Sequence, residues 1–232
     1  MGDKKSVHIA GYRKALVVVW YMEMLHYAHR GYIDDENTIR GITGVSPRMD
    51  GVEIDVRYNS RREVVLCHDR EKRNGERHEL FADLCATPMP LRLIVDIKAF
   101  GVATAAHLAR DVAKIVARHR HHRYELCSFN EYCVRELLDV KRYSGSYMDP
   151  YMYDVGVISS GVALGMFESL YDIDFVSLNY DVVHEEILEK LRSVRRKELR
   201  IYAWTCNDPD VRTDMEERYQ LDGIIYDVYL RS

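Results

Sequence analysis

Two acidic side chains in the segment V-E-I-D-V, at positions 52–56, suggest metal chemistry. On a β-strand, Glu53 and Asp55 would project from one face and the three apolar residues from the other. Two neighbouring carboxylates repel each other unless a cation lies between them or water surrounds them. Because oxygen ligands suit hard divalent ions, the pair predicts a Mg²⁺ or Ca²⁺ site. An edge strand with a solvated acidic face is the alternative.

Other ionisable residues lie at the ends of further short apolar segments: His29, Arg30, His68, Asp96 and Lys98. In parallel α/β barrels, active sites form at the carboxyl ends of the strands. The recurrence at successive segment ends therefore favours a functional cluster over a structural origin. Histidine suits proton transfer at neutral pH, and arginine and lysine suit the binding of negatively charged groups. Asp69 could orient His68, but it is not included among the site residues, because consecutive strand side chains point in opposite directions.

Strand and helix patterns alternate through the chain, which predicts an α/β fold, a single-domain (β/α)₈ TIM barrel. The barrel is assigned to residues 25–232, and residues 1–24 to an N-terminal extension packed on it. Helices are predicted at 36–44, 80–85, 104–118, 131–140, 182–195 and 209–219, with Asp34 or Asp35 as cap of the first and Asp208 as cap of the last. Strands are predicted near 25–28 and at 51–58, 63–67, 91–98, 124–129, 144–148, 175–178, 199–205 and 223–226.

Composition restricts the classes of partner and compartment. The chain has 232 residues and a net charge of −4, so no overall field attracts nucleic acid or an anionic membrane. The apolar run at 15–20 is too short to span a bilayer, so stable membrane insertion is not expected. Five cysteines without metal-ligand spacing indicate reduced thiols and a cytoplasmic location.

Taken together, seven short motifs resemble the glycerophosphodiester phosphodiesterase family, within the phosphatidylinositol-phospholipase-C-like superfamily. They occur in family order across residues 25–229: H-R-G at 29–31, E-N-T at 36–38, G-V-E-I-D-V at 51–56, H-D at 68–69, D-I-K at 96–98, W-T-C-N-D at 204–208 and D-G-I-I-Y-D at 222–227. Asp35 stands where the family usually has proline. Asp96 stands where glutamate is common, and the related sphingomyelinase D branch also uses aspartate there.

The resemblance implies a metal-dependent phosphoric diester hydrolase of lipid metabolism that converts glycerophosphodiesters to glycerol phosphate and an alcohol through a cyclic phosphate. It implies three sets of site residues: His29 and His68 as acid and base, Glu53, Asp55 and Asp96 as ligands of one Mg²⁺ or Ca²⁺, and Arg30, Lys98 and Trp204 as substrate-binding residues. For Trp204, a place in the barrel core is the alternative.

Two other functions stay open. One is a phospholipase D-like enzyme, of the lysophospholipase D or sphingomyelinase D type, acting on lipid phosphodiesters. An exposed apolar rim would favour a lipid substrate such as a lysophospholipid, and a closed polar pocket would favour a small glycerophosphodiester. The other is a non-catalytic phosphate-binding barrel, which would predict the loss of a key residue. Both histidines and all three acids are present.

Overall fold

The structure, a computed structural model, describes residues 24–69, 78–143, 152–161, 172–193 and 199–230. The extension predicted at 1–24 falls outside these residues except for Met24, which packs against the hydrophobic core. Among the described helices, none is both long and apolar enough to cross a membrane.

The described part of the chain contains nine β-strands, six α-helices and three short 3₁₀ helices. The strands are β1 (Leu25–Tyr32), β2 (Gly51–Tyr58), β3 (Val64–Leu66), β4 (Arg92–Ile97), β5 (Arg123–Ser128), β6 (Tyr153–Ser159), β7 (Phe175–Asn179), β8 (Arg200–Trp204) and β9 (Gly223–Val228). The helices are α1 (Ile39–Val45), α2 (Phe81–Cys85), α3 (Val102–Arg118), α4 (Glu131–Tyr143), α5 (Glu185–Ser193) and α6 (Pro209–Arg218).

Eight of the strands form a closed parallel barrel in the order β1-β2-β4-β5-β6-β7-β8-β9, with β9 pairing back to β1. Helices follow the strands and cover the outside, so the predicted (β/α)₈ fold is confirmed. The predicted amphipathic helix α3 packs Leu108, Val112 and Val116 into the core. Asp208 caps α6 as predicted, since its side chain accepts the N–H of Asp210 at 2.8 Å.

The strand predicted at 63–67 is present as β3, but it is not one of the barrel strands. Strand β3 lies beside β2 in antiparallel pairing and is not part of the barrel. Only five residues separate the two strands, and a parallel crossover needs a dozen or more. The chain instead makes a tight turn, in which the Asn59 N–H bonds to the Glu63 carbonyl at 3.0 Å. This hairpin returns the chain to the level of Asp55, whose carbonyl accepts the Cys67 N–H at 3.0 Å.

Two other predicted boundaries differ from the structure. The sixth strand is at Tyr153–Ser159, and the strand predicted at 144–148 lies outside the described residues. Helix α1 begins at Ile39 rather than 36, so neither Asp34 nor Asp35 is its cap. The Thr38 hydroxyl has that role, because it accepts the Gly41 N–H at 3.0 Å.

Candidate active site

The alternating strand β2 turns its two acids inward. Glu53 and Asp55 are buried, and the intervening Val52, Ile54 and Val56 are fully buried in the main hydrophobic core. Strand β2 pairs with β1 on one side and with β4 on the other. It is therefore not an edge strand, and the alternative of a solvated acidic face is wrong.

The third acid, Asp96, lies beside Asp55 in the register of β4 against β2. We call Glu53, Asp55 and Asp96 the acidic cluster. Each of its residues offers one carboxylate oxygen, and these oxygens all lie within 4.8 Å of one another. Two oxygens, Glu53 Oε2 and Asp96 Oδ1, are buried and have no hydrogen-bond partner. Because buried polar atoms are normally paired, these two oxygens fit a role as ligands of a cation.

Two basic side chains reach into the acidic cluster. Arg30 Nε lies 2.9 Å from Asp55 Oδ2, and Lys98 Nζ lies 3.1 Å from Asp55 Oδ1. Lys98 also donates to Asp96 Oδ2. Three ionised carboxylates and two cations would leave one net negative charge in a buried site, which favours a further positive ion.

The pKa values of the three carboxyl groups in the acidic cluster shift in different directions. Burial, together with the charges of Asp55 and Asp96, raises the pKa of Glu53 well above its ordinary value. Burial and Asp55 also raise the pKa of Asp96 to about 7, against the opposing effect of Lys98. Burial acts on Asp55 too, but Lys98, Arg30 and a hydrogen bond hold its pKa below the ordinary value. The all-oxygen donor set fits a hard divalent cation, whose charge would favour the ionised form of all three carboxyl groups.

His29 lies in β1 at the register position of Glu53. Its Nδ1 is 2.7 Å from Asp227 Oδ1, and its Nε2 is 3.9 Å from Glu53 Oε2. Burial and the neighbouring Arg30 lower the pKa of His29, although the bond to Asp227 opposes them. The imidazole is therefore held by one nitrogen, while the other points toward the acidic cluster.

The H-R-G sequence gives β1 its shape at this point. Arg30 and Gly31 both have positive φ angles, 59° and 89°, and the pairing of β1 with β9 shifts register between Ala28 and Tyr32. A Cβ at Gly31 would lie 2.8 Å from the backbone carbon of Gly41, so only glycine fits there. The irregularity turns the Arg30 side chain toward Asp55 instead of along the strand.

His68 reaches the site by a different route from the predicted one, because β3 ends at Leu66 and the chain then bends. In this bend His68 Nδ1 lies 3.0 Å from Asp69 Oδ1, so Asp69 is placed to orient His68 although the two residues are consecutive in the chain. Arg57 also holds the bend, since its Nη1 donates to the His68 carbonyl at 2.9 Å.

Two asparagines clamp two of the aspartates in the same way. The Asn37 amide donates to Asp55 Oδ2 at 2.9 Å and accepts the Asp55 N–H at 2.9 Å. The Asn207 amide donates to Asp227 Oδ2 at 2.6 Å and accepts the Asp227 N–H at 2.9 Å. The sequence motifs include these residues, but neither Asp227 nor the two clamps were predicted as parts of the site.

A pocket of about 230 Å³ opens at the carboxyl ends of the strands. It is lined by all eight predicted site residues, namely His29, Arg30, Glu53, Asp55, His68, Asp96, Lys98 and Trp204. Trp204 is half-buried, and its Nε1 donates to the Ser177 carbonyl at 3.2 Å. Its ring is therefore part of the pocket wall, and it also packs against buried hydrophobic residues inside the barrel.

Solved structures share this fold. A glycerophosphodiester phosphodiesterase from Parabacteroides distasonis matches with a TM-score of 0.70 and 18% identity over 88% of this chain and 92% of that one. One from Thermotoga maritima has a TM-score of 0.64 and 21% identity over 88% and 95% of the two chains.

A phosphodiesterase from Oleispira antarctica, in complex with the product sn-glycerol-3-phosphate, has a TM-score of 0.67 and 14% identity over 87% and 92%. No protein-family model and no curated protein matches the sequence. At these identities the likeness establishes a shared barrel along nearly the whole length of each chain.

Proposed function

We propose that this chain is a metal-dependent glycerophosphodiester phosphodiesterase that converts a glycerophosphodiester to glycerol phosphate and an alcohol. The observation that carries the proposal is the acidic cluster, which lies in one pocket with two histidines and two basic side chains. The motifs in the sequence support the same family, and so does the structural likeness to phosphodiesterases of that name.

Glu53, Asp55 and Asp96 would hold one divalent cation, Mg²⁺ or Ca²⁺. The two carboxylate oxygens without partners support this assignment. When bound, such an ion polarises a phosphoryl oxygen and stabilises the negative charge that develops on it. Asp55 is fixed beforehand by Asn37 and Arg30, so its orientation does not depend on the ion.

Arg30 and Lys98 would bind the phosphate. A phosphodiester is an anion, and its cleavage adds negative charge to the phosphoryl oxygens. Arg30 spans the site from Glu36, at 3.1 Å, to Asp55, which leaves its guanidinium oriented before substrate arrives. Lys98 keeps its proton, because Asp96 and Asp55 raise its pKa more than burial lowers it.

His29 and His68 would transfer the protons. Both line the pocket, and each has its Nδ1 beside a carboxylate, which leaves Nε2 for the substrate. One histidine takes a proton from the attacking hydroxyl, and the other gives a proton to the departing alcohol. The family resemblance supports this pair, and it does not assign the two roles.

We propose that the attacking group is the substrate's own C2 hydroxyl. The new bond joins this oxygen to phosphorus, the bond from phosphorus to the alcohol oxygen breaks, and a cyclic phosphate is left for water to open. An internal hydroxyl is already positioned, which removes the entropy cost of collecting a separate nucleophile. Cys67 is an unsuitable nucleophile, because burial raises its pKa.

The test is phosphorus NMR of glycerophosphocholine with the purified protein, with Mg²⁺ or Ca²⁺ supplied and then chelated. We expect a cyclic phosphate during turnover and no cleavage of an analogue that lacks the C2 hydroxyl. Binding of the substrate without cleavage under all metal conditions would instead establish a non-catalytic phosphate-binding barrel. Comparable cleavage of the deoxy analogue would show that water attacks directly.

We also propose a cytoplasmic location, which the five free cysteines support, because reduced thiols are typical of that compartment. Oxidation of any pair would require movement of buried side chains, since all five are buried.

A further inference from the structure

Exposed apolar side chains are concentrated on the face of the barrel that carries the pocket. Among the described residues, seven large hydrophobic side chains are exposed, and six of them follow the carboxyl end of a barrel strand: Phe100, Val102, Phe129, Tyr132, Tyr229 and Leu230. The seventh, Tyr143, ends α4 and so lies toward the opposite face. Such one-sided exposure is typical of a binding surface.

Four of these residues lie close together in the chain's two successive strand-to-helix connections. Phe100 lies between β4 and α3, and Val102 is the first residue of α3; Phe129 lies between β5 and α4, and Tyr132 is the second residue of α4. Strands β4 and β5 are neighbours in the barrel, and α3 packs against α4. We call these four residues the apolar rim.

The apolar rim continues into the pocket through Phe129, which lines it. The Phe129 ring packs edge-on against Trp204 at a centroid distance of 5.7 Å. Lys98 Nζ lies 5.3 Å from the same ring centroid. An apolar group on the rim would therefore lie next to the ammonium group of Lys98, which is proposed to bind phosphate.

The pocket itself also has apolar walls, formed deep in the barrel by Ile94, Ile158 and Ile225. Its volume of about 230 Å³ is below the 300–1,000 Å³ that is usual for drug-sized ligands. It has space for a phosphate and a short polar group. A long chain attached to the phosphate would have to leave the pocket and lie across the apolar rim.

We propose, building on the function above, that the preferred substrate is a phosphodiester with one long apolar chain, a lysophospholipid, and that the apolar rim binds this chain. The chemistry restricts the substrate further. Attack by the C2 hydroxyl requires that this hydroxyl be free, so one acyl chain at C1 is accepted and a second at C2 is not. The C2 oxygen bonds to phosphorus, the head-group alcohol leaves with a proton from one histidine, and the other histidine holds the hydroxyl proton.

The test compares three substrates with one head group: glycerophosphocholine, 1-acyl lysophosphatidylcholine and diacyl phosphatidylcholine. The lysolipid is kept below its critical micelle concentration, so that the measurement reports on one chain. We expect kcat/KM for the lysolipid to exceed that for glycerophosphocholine by at least tenfold, because burial of apolar surface adds binding energy. We expect no cleavage of the diacyl lipid.

A variant of the apolar rim locates the effect. Val102→Ala combined with Tyr132→Ala should lower kcat/KM for the lysolipid about tenfold and leave glycerophosphocholine turnover unchanged, because neither side chain lines the pocket. The matched control is Tyr143→Ala, which removes an exposed aromatic ring on the opposite face and should change neither rate.

Equal rates for both substrates in the wild type, or an unchanged lysolipid rate in the rim variant, would overturn the lipid proposal and leave the phosphodiesterase function intact. A rim variant that changes only the oligomeric state would also overturn it, because the rim would then be an interface between copies. Failure to cleave any of the three substrates with metal supplied would refute the underlying function as well.

Discussion

The contact between Asp227 and His29 allows a quantitative test of how the site orients its proton-transfer groups. The two side chains are 2.7 Å apart, and both are largely shielded, with 16% of the Asp227 side chain exposed. Asp227→Asn keeps the shape and removes the charge. A hydrogen bond to a charged group in such a position stabilises by about 2 kcal/mol, which corresponds to a loss of about 30-fold in kcat.

The pH profile carries a second readout. Asp227 raises the pKa of His29, so its neutralisation should move the His29 titration to lower pH. If His29 is the base, the acidic limb of the kcat profile moves to lower pH. If His29 is the acid, the alkaline limb moves to lower pH. The limb that shifts therefore identifies the role of His29.

Asp69→Asn is the matched control, because Asp69 contacts His68 Nδ1 at 3.0 Å but has 82% of its side chain exposed. An exposed ion pair contributes little, so the loss of kcat should stay below about threefold. A folded Asp227→Asn variant with normal kcat and an unshifted profile would refute the positioning role. An equal loss in both variants would show that burial does not determine the effect.

Three further expectations follow from the contacts in the structure. His29→Ala and His68→Ala should each lower kcat by at least about 100-fold with an unchanged melting temperature, and near-normal turnover would remove that histidine from the mechanism. Calorimetry should detect Mg²⁺ or Ca²⁺ binding that Asp96→Asn weakens and that strengthens as pH rises, since burial raises the pKa of Asp96 and protons compete with the ion; pH-independent binding would contradict the ligand assignment. Burial lowers the pKa of His122 to about 4, so the folded state favours the neutral imidazole. The free energy of unfolding should therefore be highest above pH 6.5 and should fall, by at most about 3 kcal/mol, as pH falls toward 4. His122→Leu should flatten this part of the stability curve in urea titrations, and an unchanged slope would assign it to other groups.

Local pattern was enough to predict the barrel and the pair of Glu53 and Asp55, whereas the family resemblance implied Asp96 as the third acid. The alternation around Glu53 and Asp55 determines which side chains share a face, and parallel pairing then aligns Asp55 with Asp96. Both facts depend on neighbours in the chain or on the general rule for strand ends. The same rule, applied to the D-G-I-I-Y-D motif, would have predicted Asp227, because that residue also lies at the end of a strand.

The Asp227–His29 contact and the hairpin that carries His68 were missed because they depend on long-range or irregular geometry. Asp227 is 198 positions from His29, and the two meet only because β9 closes the barrel against β1. His68 was assigned to the end of a barrel strand, and it arrives instead on an antiparallel hairpin. The five-residue connection before β3 was the available signal for this hairpin, since it is too short for a crossover.

The two asparagine clamps show how the barrel fixes charged groups at its rim. Asn37 follows β1 and holds the aspartate of the adjacent β2, and Asn207 follows β8 and holds the aspartate of the adjacent β9. Each clamp pairs with both the side chain and the N–H of its aspartate, so the carboxylate is held relative to its own strand. One clamped aspartate lies in the acidic cluster and the other holds His29. The groups proposed for charge stabilisation and for proton transfer are therefore oriented by the same local device, before any substrate binds.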